Sequence, residues 1–294
     1  MNDYLLSCCL AVDLSKEVIE EKNLRYLPFN YYVDGVEYEN NLNDIDELDR
    51  FYNKMKEGAI TKTSLINSEK YYAYFEKLLQ EGKDVVHVTL STGLSGTYSS
   101  AAVARDLLKE KYPNQTVYLV DSLAASSGYG LLMYHLANYR DQGYTAEQLV
   151  AKAEEIKLHV NHDFIATDLT YLVRGGRVSK TAGAVGSVLK ICPVMHTNKE
   201  GKLVPVKKAL GKKRAIEEMV NRFLAHADGG ANYNQDCFIS NADSFAEALT
   251  LKEMLTKVCP NIKIKIFSIG TTIGSHCGPG TLAVFFMGKN RNEM

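Results

Sequence analysis

Three short segments hold residue types able to do chemistry. In Val88–Ser100, VTLSTGLSGTYSS, eight of thirteen residues carry a hydroxyl. In Thr271–Gly280, TTIGSHCGPG, a single histidine, His276, stands among Gly274, Gly278, Pro279 and Gly280. In Tyr171–Lys180, YLVRGGRVSK, Arg174, Arg177 and Lys180 surround a Gly-Gly pair. Hydroxyls cap helices or donate to anions, and guanidinium groups take phosphate or acidic partners. A histidine fixed in a Gly/Pro loop can act as a base or as a hydrogen-bond donor.

The hydroxyl-rich stretch sits between two elements. Asp84–Leu90 reads as a buried strand, and Thr97–Tyr112 carries a helical period through Ala101, Ala104, Leu107 and Leu108. Ser91–Gly96 is then a strand-to-helix loop at the carboxyl edge of a sheet, where open α/β sheets bind ligands. First-turn N–H groups and the helix dipole favour an anion there. Gly93 and Gly96 would let backbone approach a ligand closely, and Ser95 fits the helix N-cap. A rival is the nucleophile elbow G-x-S-x-G. Gly93-Leu-Ser95-Gly-Thr97 matches it except that Thr97 replaces the second glycine. An esterase built on Ser95 would need His276 as base and a carboxylate to orient it, and none lies near His276 in sequence. Phosphate-loop and zinc-protease motifs are absent, and Gly128-Tyr-Gly130 lacks the third glycine of a dinucleotide fingerprint. The six cysteines show no metal spacing and read as reduced packing residues of a cytoplasmic protein. No cofactor or metal is expected.

These loops need a scaffold to position them. At 294 residues the chain is long for one domain, and its net charge of -1 gives no reason to expect nucleic acid. Candidate strands are Leu5–Cys9, Arg25–Tyr32, Asp84–Leu90, Thr116–Val120, Phe164–Thr167, Ile191–Thr197, Leu203–Lys208, Cys237–Ser240, Lys263–Ser268 and Leu282–Met287. Helical windows lie between them at Ser15–Lys22, Ile45–Glu57, Glu69–Glu81, Thr97–Tyr112, Ser127–Arg140, Thr145–Leu158, Lys180–Leu189, Lys212–His226 and Ser244–Lys257. The alternation predicts α/β layers with largely parallel pairing. Asp34-Gly35 and Glu200-Gly201 read as hairpin turns. Two α/β domains are expected, with the boundary near the polar run Asn161-His162-Asp163. Residues 1–160 would hold a mostly parallel sheet flanked by helices, and residues 161–294 a mixed sheet with helices.

Taken together, LSTGLSGTYSSA, VDSLAASSGYGLL, LTYLVRGGRVSK and IGSHCGPG closely resemble the DegV family, in order and spacing over nearly the whole chain. The family includes the fatty-acid-binding subunits of bacterial fatty acid kinases. The resemblance implies a lipid carrier without catalysis of its own that buries one long-chain fatty acid and presents its carboxylate to a kinase. It assigns carboxylate binding to Thr63, Ser95 and His276 together with Gly96 of the Leu-Ser-Gly-Thr loop. It links Arg177, and with it Arg174, to the kinase partner. A monomer is expected, since nothing in the sequence suggests a self-complementary patch, with transient membrane contact for lipid exchange. Three positions depart from the family pattern: Cys9-Leu10-Ala11 replaces an Asp-Ser-Thr run, Leu65-Ile66-Asn67 lacks a proline, and Leu210 replaces an arginine.

Overall fold

The computed structural model describes residues 4–42, 44–179 and 191–293. Lys180 and the helical window Lys180–Leu189 lie outside them. The first sheet has the order β2-β1-β6-β7, with β1 Tyr4–Cys9, β2 Arg25–Leu27, β6 Asp84–Thr89 and β7 Val117–Asp121, all parallel. The largest sheet has the order β10-β9-β8-β13-β11-β12. Its strands are β8 Val160–Ile165, β9 Ile191–Thr197, β10 Leu203–Leu210, β11 Asp236–Asn241, β12 Lys263–Ser268 and β13 Leu282–Met287. Only β11 and β12 pair in parallel there; the other four pairings are antiparallel. The first sheet is therefore parallel and the largest one mixed, as expected for the two parts of the chain.

Local chemistry explains the remaining differences. The predicted strand Arg25–Tyr32 is two strands, because Pro28 has no N–H to give a ladder. β2 ends before it, and β3 (Asn30–Val33) starts a separate antiparallel sheet with β4 (Val36–Glu39) and β5 (Thr61–Thr63). Asp34 and Gly35 make the β3–β4 turn with φ of 50° and 84°, as a tight hairpin requires. The run Asn161-His162-Asp163, near the expected domain boundary, lies inside β8, and all three residues are at most 2% exposed. Thr271–Cys277, read as an irregular loop, is a short helix.

Ten α-helices are described: α1 Lys16–Glu21, α2 Ile45–Lys56, α3 Ser68–Leu79, α4 Thr97–Lys111, α5 Ser126–Asp141, α6 Ala146–Ile156, α7 Thr170–Arg174, α8 Gly211–His226, α9 Phe245–Val258 and α10 Thr271–Cys277. Most are amphipathic covers. The N-terminal part of α5 is buried on every side, from Ser126 through Met133, as suits a helix enclosed by other elements. Its Tyr129 hydroxyl accepts from the Cys9 N–H at 2.9 Å and donates to the Val88 carbonyl, joining β1 to β6. Ser127 Oγ donates to the Asp13 carbonyl and accepts from Ser240 Oγ of β11. α5 is thus pinned to both sheets. Arg291 is a second tie: its guanidinium, 2% exposed, donates to the carbonyls of Leu123, Lys157, Thr197 and Asn198.

Tyr129→Phe strands the buried Cys9 N–H and should lower stability by about 1–3 kcal/mol. Urea unfolding of both proteins checks this, and an unchanged midpoint would remove the bridging role.

Candidate functional site

A cavity of about 230 Å3 opens between these layers. Thr63, Ser95, Gly96, Arg177 and His276 all line it, although they come from four separate stretches of chain. Thr63 closes β5, Ser95 and Gly96 lead into α4, His276 lies in the last turn of α10, and Arg177 follows α7. The other walls are largely apolar, among them Phe29, Leu90, Phe164, Leu172, Ile273 and Phe285. Gly96 and Leu65 line the cavity and are also exposed, which marks its mouth.

Hydrogen bonds fix the polar groups. Thr63 Oγ1 and His276 Nε2 are bonded at 2.7 Å. The other imidazole edge packs against Gly175, where a Cβ would overlap Nδ1, so the Gly-Gly turn is what brings backbone against the histidine. Arg177 Nε donates to the Leu94 carbonyl at 3.1 Å, and its Nη1 to the Gly175 carbonyl. Arg174 is not part of the cavity wall; its guanidinium lies 5.0 Å from the centre of the Tyr171 ring.

The hydroxyl loop does several jobs. Ser95 is not the N-cap of α4, because Gly96 takes that position. Ser95 Oγ instead bonds Thr97 Oγ1 at 2.5 Å and accepts from the Thr97 N–H at 3.3 Å. Ser91 Oγ donates to the Gly201 carbonyl at 2.9 Å, seating the tip of the β9–β10 hairpin on the loop. Gly93 serves the same contact, since a Cβ there would meet the Glu200 carbonyl oxygen at 2.5 Å. It admits a neighbouring backbone, whereas Gly96 borders the cavity. Thr92 Oγ1 is bonded to Asp121 at 2.5 Å.

Sequence reasoning missed several cavity residues, including His162, Thr197 and Ser126. Nothing in their local pattern marks them. Asp13 was also missed: it is 5% exposed, with Oδ1 accepting from the Gly270 N–H and Oδ2 from Ser126 Oγ. Burial pushes its carboxyl up to about 7, with those two hydrogen bonds pulling the other way. All six cysteines are free and buried. Among the described residues no cluster of His, Cys, Asp or Glu could hold a metal, and no helix is long and apolar enough to cross a membrane.

Comparison with known proteins fits this geometry. Residues 11–289 match the family described as "Uncharacterised protein, DegV family". A DegV domain-containing protein of Clostridium perfringens is 36% identical over 292 residues, covering 99% of each chain. A DegV lipid-binding protein from Thermotoga maritima superposes with a TM-score of 0.85 at 27% identity, over 99% of this chain and 100% of that one. DegV of Bacillus subtilis, a fatty-acid-binding protein, gives 0.83 at 26% identity over 98% and 100%.

Burial, reinforced by the charges of Arg177 and Arg174, lowers the His276 pKa to about 4. His276 is therefore neutral near pH 7. As pH falls below about 6.5 the unfolded chain takes up this proton first, so stability is lost until the folded-state value near 4 is reached. His276→Gln should flatten the decline between those limits by on the order of 3 kcal/mol. Urea midpoints across pH 4 to 7 in both proteins read this, and parallel pH curves would refute it.

Proposed function

This chain belongs to the DegV family, and on that footing we propose that it binds one long-chain fatty acid. The carboxylate sits among Thr63, Ser95, Gly96, His276 and Arg177, and the tail runs along the apolar walls. The observation that carries this reading is the meeting of Thr63, Ser95 and His276 around one cavity whose other walls are largely apolar. The fatty-acid-binding relative from Bacillus subtilis supports it.

A carboxylate leaving water must regain its hydrogen bonds and its countercharge. Two hydroxyls and a neutral imidazole supply the first, and the half-buried Arg177 the second. Each buried methylene of the tail adds about 0.8 kcal/mol, so some fifteen of them give roughly 12 kcal/mol before ordering costs. That is enough for tight binding.

The same reading gives the bound acid a use. A partner kinase transfers a phosphoryl group from its nucleotide to the presented carboxylate oxygen, forming an acyl phosphate. Arg174, outside the cavity, is assigned to that partner's docking surface, and Arg177 moves from partner to carboxylate. The units 1–160 and 161–294 each contribute one side of the site.

The esterase alternative lacks its relay. Ser95 and His276 line one cavity but are bonded elsewhere, to Thr97 and Thr63 respectively. Gly175 occupies the far edge of the imidazole where an orienting carboxylate would belong.

Native mass spectrometry of the purified protein, followed by denaturation and solvent extraction, tests the carrier reading. The expected result is a one-to-one mass excess, lost on denaturation and recovered as free fatty acid. Thr63→Ala or Ser95→Ala should weaken binding by about tenfold to a hundredfold, the worth of a hydrogen bond to a charged group. An excess that persists on denatured protein would identify an acyl-serine and reinstate the esterase.

A further inference from the structure

A threonine outside the cavity wall is bonded directly to a serine that forms part of it. Thr97 is the first residue of α4 and is 0% exposed. Its Oγ1 bonds Ser95 Oγ at 2.5 Å, and its N–H donates to the same oxygen at 3.3 Å. Among the described residues, Ser95 is the one hydrogen-bond partner of the Thr97 hydroxyl. Ser95 itself is held by its backbone, because its N–H donates to the Ser91 carbonyl at 3.0 Å. The preceding carbonyl, that of Leu94, accepts from Arg177. The serine oxygen is therefore fixed in place, and what remains to be set is the direction of its proton.

A hydroxyl has one proton to donate and two lone pairs that accept. The proton between Ser95 and Thr97 can belong to either residue. Were Ser95 the donor, the Thr97 proton would be buried without an acceptor, which is rare in folded proteins. Donation by Thr97 satisfies that proton. Ser95 Oγ then accepts twice from Thr97, through the N–H and through the O–H, and both of its lone pairs are taken. Its own proton is left for the cavity that Ser95 lines.

We infer that Thr97 is a positioning residue of the carboxylate site: by donating to Ser95 Oγ it turns Ser95 into a group that only donates to the ligand. The inference rests on the fatty-acid reading above and adds to it a residue that touches no ligand. A carboxylate oxygen accepts and never donates, so a serine turned the other way would meet it lone pair to lone pair. Hydroxyls donating in one direction also polarise one another, which strengthens the last bond of the chain. Thr97 is the residue that breaks the G-x-S-x-G pattern. A glycine there would have no hydroxyl to give.

The test is a double-mutant cycle on the delipidated full-length protein with octadecanoic acid as the probe. Thr97→Val keeps the side-chain shape without the hydroxyl and should weaken binding at least about fivefold. Thr97→Ser keeps the hydroxyl and should bind within about twofold of the wild type. On a Ser95→Ala background, Thr97→Val should change binding by less than about twofold, because no serine proton is left to direct. A threonine that only packs the start of α4 would cost as much on either background. Equal losses on the two backgrounds overturn the inference, and so does a Thr97→Val protein that binds like the wild type. Failure of Thr97→Ser to restore binding overturns it as well. Thr97→Ala runs the same cycle if the valine variant does not fold. A wild type that binds no octadecanoic acid overturns the fatty-acid reading itself, a distinct result seen before any variant is compared.

Discussion

The close fit of one helix between two sheets sets the geometry of everything else. The first turns of α5 read Ser126-Ser-Gly-Tyr-Gly130, small residues around a single ring, so β-strands can approach from both sides. A Cβ at Gly130 would stand 2.5 Å from the Val12 carbonyl oxygen, and one at Gly128 would overlap His162. Bulk at either position would part the sheets. The Tyr129 and Ser127 hydroxyls then fix the register of the contact, and Arg291 closes it from the far side with four carbonyl bonds. The cavity is the volume that this packing leaves open.

Two arginines show how differently a buried cation can be used. The Arg291 guanidinium spends its donors on backbone carbonyls that hold distant segments together, and burial lowers its pKa to about 10. Arg177 makes two such bonds, borders the cavity and remains half-buried. Its field helps keep His276 neutral, so this end of the cavity combines one fixed positive charge with uncharged hydrogen-bonding groups. That mixture suits a single negative charge better than a catalytic relay, which needs a histidine able to accept a proton near neutral pH.

Much of the architecture was legible because burial writes simple patterns. Lys263–Ser268 and Leu282–Met287 are strands over the residues expected, and α4 starts at Thr97 as its apolar spacing requires. Asn161-His162-Asp163 was illegible for the opposite reason: three polar residues in a row look like a break between elements, and only their tertiary partners make them a core strand. The short helix at Thr271–Cys277 was hidden by its glycines, which suggest loop wherever they cluster. Ser95, Arg177 and His276 were individually visible, whereas Thr63 entered only through the family resemblance. That Thr63 and His276 touch across 213 positions is a property of the fold, and only the family resemblance anticipated it.

A cavity walled by both sheets makes its occupant part of the protein's interior. On the fatty-acid reading, loss of the acyl chain would return the apolar walls of this cavity to water, at about 25 cal/mol per Å2 of apolar surface. The emptied form is then the fragile one, opening more often and meeting proteases more often. On the fatty-acid reading, the cell's supply of lipid would set how long each copy survives, so the carrier's abundance would report the abundance of its cargo. Protein half-life measured with and without supplied lipid would read that dependence, and equal half-lives would dismiss it.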